Sequence, residues 1–127
     1  MMVAGIGCRA GATASAVAEA IAGALERCGL NRSQIDALAT AAAKSHESGI
    51  VGAAATLAVP LIFVAAAEMS RVADSALTSS PRVVALQGVP SVAETAALAA
   101  AGRSARLLGP RTATPTVTCA IAVGEGP

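Results

Sequence analysis

The side chains best suited to chemistry begin near the N-terminus, in the glycine-rich stretch Gly5-Ile6-Gly7-Cys8-Arg9-Ala10-Gly11. A helical pattern follows at once, so the amides of a helix N-terminus would point into the same space and favour an anion there. Arg9 adds a fixed positive charge. A cysteine in such a place can have a lowered pKa, which would make the Cys8 thiolate a better nucleophile. The alternative, a small and partly buried Cys8 that only packs the turn, is the one that we favour.

A second polar group, Lys44, His46 and Glu47, lies in the loop after the second predicted strand. In a parallel sheet this loop lies beside the first glycine-rich loop. His46, the only histidine of the chain, would then be able to approach Cys8. A solvated loop would carry the same residue types, and Glu47 would also be favourable at the start of the helix that follows it.

Two later segments add groups that can bind an anion. Ser91-Val92-Ala93-Glu94 has the spacing of a capping box, in which the Glu94 carboxylate returns to the Ser91 amide. The same helix N-terminus, at Pro90–Val92, would also present amides to an anion. Arg111 and Thr112 lie in a late loop, and an arginine can hold a carboxylate through two parallel hydrogen bonds.

Most of these loops follow predicted strands, so their polar and basic residues should lie together. We therefore predict a pocket for a ligand with several carboxylates. The candidate ligand-binding residues are Gly7, Cys8, Arg9, Gly11, Lys44, Ser91, Glu94, Arg111 and Thr112. No catalytic residue is assigned, because the spacing indicates neither a catalytic triad nor paired carboxylates. The three cysteines are far apart and odd in number, which fits a reducing cytosol and no recognisable zinc site. We therefore expect neither a metal site nor a cofactor.

The letters Gly5-x-Gly7-x-x-Ala10 also match the dinucleotide-binding fingerprint, in the required context of a strand and a helix. The second predicted strand, however, ends near Thr40 without an acidic residue to hold a ribose. A nucleotide- or phosphate-binding regulatory domain is therefore kept as an alternative of a different class. The simplest role of the glycines is to permit a tight strand-to-helix turn.

Short apolar runs alternate with helical patterns and position these loops. The first helix extends from a cap at Thr13 or Ser15 to Gly29. Further helices are predicted at 47–58, 68–73 and 91–101, and strands at 2–6, 35–40, 60–64, 105–108 and 116–123. The less regular segments are predicted as a strand or extended connection at 83–87, a loop at 110–115 and an exposed, mobile stretch at 74–81.

This order of elements predicts an α/β fold with three layers, α/β/α, in one domain that comprises residues 1–127. The sheet is predicted to be mainly parallel with five or six strands, and an antiparallel final pair would make it mixed. Parallel strands are covered by helices on both faces, so the loops at their carboxyl ends remain free for a ligand.

Composition excludes several classes of protein. With 54% hydrophobic and 13% charged residues the chain is not disordered. One phenylalanine and no tyrosine or tryptophan leave few platforms for stacking nucleic-acid bases, and the net charge of +1 argues against a general polyanion binder. Neither a signal peptide nor the roughly twenty apolar residues of a membrane span is recognisable. We expect no nucleic-acid or membrane partner and a cytoplasmic location.

Four segments together resemble the CobE family of cobalamin biosynthesis, which is similar to the C-terminal domain of CbiG, the cobalt-precorrin-5A hydrolase. They are GIGCRAGA from Gly5, the Lys44-x-x-Glu47-x-Gly49 loop, GVPSVAETAAL from Gly88, and LLGPRTATPTVTCAIA near the end. The resemblance implies a protein that binds or delivers a precorrin or corrin intermediate, with other enzymes of the pathway as further partners. It leaves open a hydrolase that opens a lactone of the macrocycle.

Overall fold

Six strands form one sheet at the centre of the structure. The computed structural model describes residues 1–126, apart from the side chain of Gln87. The strands are β1 (Met2–Cys8), β2 (Ala37–Ala41), β3 (Leu61–Val64), β4 (Arg106–Leu107), β5 (Thr112–Ala113) and β6 (Val117–Val123). Their order is β3-β2-β1-β6-β4, and β5 also pairs with β6. Only β6 runs against the common direction, so the mainly parallel, mixed sheet is confirmed.

Helices cover both faces of this sheet. They are α1 (Ala14–Cys28), α2 (Ser48–Leu57), α3 (Ala66–Arg71), α4 (Pro81–Gln87) and α5 (Val92–Ala101). α1 and α2 bury apolar side chains against one face, in a cluster that includes Ile6, Ile21 and Ile50. α3 and α5 pack on the other face, in a cluster that includes Met69 and Leu98. The two clusters confirm the three-layer α/β/α arrangement.

The ends of α1 follow local signals in the sequence. The Thr13 side chain accepts a hydrogen bond from the Ala16 amide, which satisfies one of the free amides of the first turn. Gly29 ends the helix in the left-handed conformation, at φ 67°. Both predicted ends are therefore confirmed. Among the described residues, no helix combines the length and the apolar character that crossing a membrane requires.

The glycines of β1 serve close packing, which corrects the prediction of a tight turn. β1 continues to Cys8, so Gly5 and Gly7 lie inside the strand. A Cβ on Gly5 would overlap the carbonyl oxygen of Ala93 in α5, and a Cβ on Gly7 would lie 2.7 Å from Oγ1 of Thr118. Of the three glycines in the stretch 5–11, only Gly11, at φ +79°, has the left-handed backbone conformation that a turn can require.

Residues 83–87 form part of α4, so the prediction of a strand or extended connection was wrong. Ser80 caps the helix through its side chain, Pro81 occupies the first turn, and Gly88 ends it at φ 73°. Proline is favourable there because its fixed φ suits a helix and its missing N–H would have no partner. These end signals override the strand preference of Val83. The predicted loop at 110–115 likewise contains a short strand, because β5 pairs with β6.

Candidate functional site

A cavity of about 350 Å³ lies at the carboxyl ends of β1 and β2. The end of β1 contributes Cys8 and Arg9, and the 3-10 turn after β2 contributes Lys44. Further lining comes from α4 and from the segment 114–118, which lies beside the end of β1 and leads into β6. Parallel strands bring the first two loops together, and the antiparallel β6 begins at the same edge of the sheet. The cavity therefore occupies the edge where open α/β sheets bind ligands.

Four cationic side chains line this cavity: Arg9, Lys44, Arg82 and Arg111. Among the residues that the structure describes, no acidic side chain lines it. The two ion pairs found among residues 1–126 join other residues, His46 with Glu47 and Arg71 with Glu68. The four cations therefore lack a carboxylate partner in a concave site, which is the arrangement that attracts an anionic ligand.

Cys8 does not have the lowered pKa that a nucleophile would need. Burial raises the pKa of its thiol, the Glu47 carboxylate raises it further, and the Lys44 ammonium opposes this rise. The thiol is consequently protonated at neutral pH. His46 does not line the cavity; its side chain is 69% exposed and its Nε2 lies 3.3 Å from Glu47 Oε2. The structure therefore does not provide the thiolate–imidazole pair that the sequence had left open.

Glu47 joins the loop after β1 to the loop after β2. Its carboxylate is buried and accepts a hydrogen bond from the Gly11 amide at 2.9 Å. It makes no capping hydrogen bond at the start of α2. Two residues later, a Cβ on Gly49 would overlap the carbonyl oxygen of Ala12. Glu47 and Gly49 thus hold the loop after β1 against the start of α2, and of the Lys44-x-x-Glu47-x-Gly49 loop only Lys44 lines the cavity.

Glu94 joins two further loops, and only half of the predicted capping box forms. Ser91 Oγ accepts from the Glu94 amide at 3.3 Å, as predicted. The Glu94 carboxylate does not return to the Ser91 amide. Its Oε1 accepts from the amides of Leu77 and Thr78 and from Thr78 Oγ1, at 2.9 to 3.2 Å. Its Oε2 accepts from the Arg111 amide at 3.1 Å. This fully buried carboxylate therefore fixes Arg111 and the segment that leads into α4.

The structure brings five of the nine candidate residues together around the cavity: Gly7, Cys8, Arg9, Lys44 and Arg111. Gly11, Ser91 and Glu94 do not line the cavity but take part in the hydrogen bonds described above. Thr112 lies outside the cavity lining, in β5, and its Oγ1 faces Arg27 Nη1 of α1 at 3.5 Å. The first residues of α1 do not line the cavity, and α5 contributes only Val92.

Sequence reasoning missed the wall formed by α4, which contributes Arg82, Val83 and Leu86. The available signal was the cap Ser80-Pro81 followed by Gly88, which encloses one short helix. Thr118 was also missed; its Oγ1 donates to the Gly7 carbonyl at 3.3 Å. Over the described range, no group of three or more histidine, cysteine, aspartate or glutamate side chains is arranged to hold a metal ion.

Residues 2–122 match the family model described as Cobalamin synthesis G C-terminus. Among curated proteins, Protein CobE from Sinorhizobium sp. is 33% identical over 121 residues, which cover 95% of this chain and 79% of that protein.

Solved structures of cobalamin biosynthesis proteins are also similar to this chain. The crystal structure of CobE, a protein from the cobalamin (vitamin B12) biosynthetic pathway, superposes with a TM-score of 0.92 at 33% identity, covering 96% of this chain and 89% of that one. Cobalamin biosynthesis protein chiG from Agrobacterium tumefaciens has a TM-score of 0.79 at 39% identity, with 98% and 99% covered. A putative cobalamin biosynthesis protein G homolog from Sulfolobus solfataricus has a TM-score of 0.69 at 26% identity. That protein is longer, since the match covers 99% of this chain but 37% of it.

Proposed function

This chain belongs to the CobE family of cobalamin biosynthesis, the family of the cobalamin synthesis G C-terminus, and we propose that it binds a precorrin or corrin intermediate by its carboxylates. The convergence of four cations on one cavity without a lining carboxylate carries this proposal. The tetrapyrrole intermediates of this pathway bear several acetate and propionate side chains. Arginine and lysine bind such groups through charge-assisted hydrogen bonds, which are about twice as strong as neutral ones.

The side chains around the cavity support binding or delivery rather than turnover. Burial raises the pKa of the Cys8 thiol, and no histidine of the described residues lines the cavity. The Glu47 and Glu94 carboxylates are already engaged with backbone amides. A lactone hydrolase would need an activated nucleophile or a general base within reach of its substrate. The hydroxyls that line the cavity, such as Ser80 and Thr118, have no carboxylate or histidine beside them among the described lining residues. An accessory protein that holds an intermediate for other enzymes of the pathway needs only the cations.

The nucleotide-binding alternative has less support from the cavity. In a dinucleotide site the glycines form the loop that approaches the pyrophosphate. Here Gly5 and Gly7 lie within β1, and Gly5 is covered by α5. β2 ends at Ala41 and a second alanine follows, so no acidic side chain stands at its tip to hold a ribose.

Removing one basic partner should weaken binding measurably. Arg9→Ala and Arg111→Ala are each expected to reduce affinity about tenfold or somewhat more, since a charge-assisted hydrogen bond contributes roughly 1.5–3 kcal/mol. The measurement is a titration of each folded variant with a polycarboxylate corrin intermediate, followed by visible absorbance. Affinity of the unmodified protein should also fall as salt rises, because salt screens exposed charges.

Arg103→Ala is the matched control for these two variants. It removes the same charge, but Arg103 is exposed and lies beside Gly126, at the other end of the seven-residue strand β1, roughly 20 Å away. Its affinity is expected to stay close to that of the unmodified protein. Equal affinity in all three arginine variants would contradict the site.

Cys8→Ser is expected to leave the affinity largely unchanged. The thiol is neutral, because burial and Glu47 raise its pKa, so the substitution removes no charge from the cavity. Serine is also close to cysteine in size. The same titration measures the affinity, and a turnover assay on the bound intermediate serves as the second measurement. Loss of product formation with intact binding would instead favour the hydrolase.

A further inference from the structure

The wall formed by α4 differs in chemistry from the rest of the cavity. Besides Arg82 it contributes the apolar side chains of Val83 and Leu86. Leu86 is 67% exposed, the largest exposed fraction among the large hydrophobic side chains of the described residues. Single exposed apolar residues are common on proteins. This one, however, lies at the rim of the cationic cavity, where a bound ligand would cover it.

The size of the cavity limits how a macrocycle can enter it. A volume of about 350 Å³ is at the lower end for pockets that enclose a drug-sized molecule. A tetrapyrrole with its acetate and propionate side chains is larger than such a molecule. This size suits one edge of the ring, with the remainder lying across the rim.

Hydrogen bonds hold the start of α4 against the rest of the protein. The Ser80 amide donates to the Pro90 carbonyl at 2.9 Å, and the Thr78 amide donates to buried Glu94. Gly88 closes the other end of the helix through a hydrogen bond to Val84. A wall fixed in this way loses little conformational entropy when a ligand binds to it.

We propose that α4 is an apolar platform for the ring: one edge of the macrocycle enters the cavity with its carboxylates on the cations, while a face of the ring lies on Val83 and Leu86. This inference rests on the proposed function. It assigns two separable contributions to binding, a salt-sensitive one from the four cations, which include Arg82 of α4, and a salt-insensitive one from Val83 and Leu86. The opposite edge of the ring remains in solvent, where an enzyme that consumes the macrocycle can reach it before release.

The test compares Leu86→Ser with Val84→Ser. Val84 is a matched control because it lies on the same helix and is 46% exposed, but does not line the cavity. Burial of apolar surface predicts that Leu86→Ser weakens binding of a polycarboxylate corrin intermediate about fivefold. The dependence of its affinity on salt should match that of the unmodified protein. Val84→Ser should leave both quantities unchanged.

A small tricarboxylate, propane-1,2,3-tricarboxylate, serves as a second probe because it carries the charges without a ring. The affinity of the tricarboxylate, measured by its competition with the macrocycle, should be the same for Leu86→Ser as for the unmodified protein. If Leu86→Ser binds the macrocycle as tightly as Val84→Ser while binding remains salt-sensitive, the platform is wrong and the proposed function stands. If the unmodified protein binds no corrin intermediate, both proposals are overturned.

Discussion

Gly5→Ala is expected to destabilise the protein by about 3 kcal/mol or more, the upper range for overpacking a core. A Cβ at this position would overlap the carbonyl oxygen of Ala93 and lie 2.7 Å from the amide nitrogen of Ala97. Both are backbone atoms of α5, so no side-chain rotation can relieve the overlap. The helix would have to move away from β1, and its packing on the sheet would be lost. The first residue of α5, Val92, lines the cavity, so the cavity would change as well.

Gly23→Ala is the matched control for this substitution. Gly23 lies within α1, and its nearest neighbour to an added Cβ is Thr112 Cγ2 at 3.7 Å, an ordinary contact. Alanine is favoured over glycine in a helix by about 0.5–1 kcal/mol, so this variant should be stabilised. Chemical denaturation of both variants measures the effect. Similar midpoints for Gly5→Ala and Gly23→Ala would refute the close packing of α5 on β1.

Glu94→Ala is expected to lower both stability and ligand affinity, although Glu94 does not line the cavity. The substitution leaves three backbone amides and the Thr78 hydroxyl without their partner. An unsatisfied buried group costs about 1–3 kcal/mol, and since these donors are partly buried and water can reach some of them, we expect a net loss of about 2–4 kcal/mol. Arg111 and α4 lose their fixed positions together, so the affinity should fall at least tenfold.

Glu94→Gln distinguishes positioning from stability alone. The one remaining carbonyl oxygen of the side chain should face the three donors of residues 77–78, which places the amide group of Gln against the Arg111 amide. The loss of binding free energy should then exceed the loss of free energy of unfolding. Affinity is titrated at a temperature well below the unfolding midpoint, and chemical denaturation measures the stability. Glu19→Ala, an exposed change on α1, is the control. Affinity that falls only in step with stability would contradict a positioning role.

Much of the secondary structure could be predicted because its signals are local. Thr13 and Gly29 mark the ends of α1, and both act within one turn of the helix. The prediction failed at α4, where the strand preference of Val83 conflicted with the cap at Ser80. Strand propensity depends strongly on what a side chain packs against, so a short segment is decided by its ends and its neighbours.

The sequence alone determined the type of most elements, the mainly parallel direction of the sheet and the family, together with the basic residues on its loops. Only the tertiary structure decided the partners of the two buried carboxylates. Glu47 bonds an amide 36 residues away, and Glu94 bonds amides 16 and 17 residues away. A buried carboxylate must find donors, and which donors it meets depends on how the loops fold over it. The same packing of α5 against β1 turned Gly5 from an expected turn residue into the contact surface for a helix.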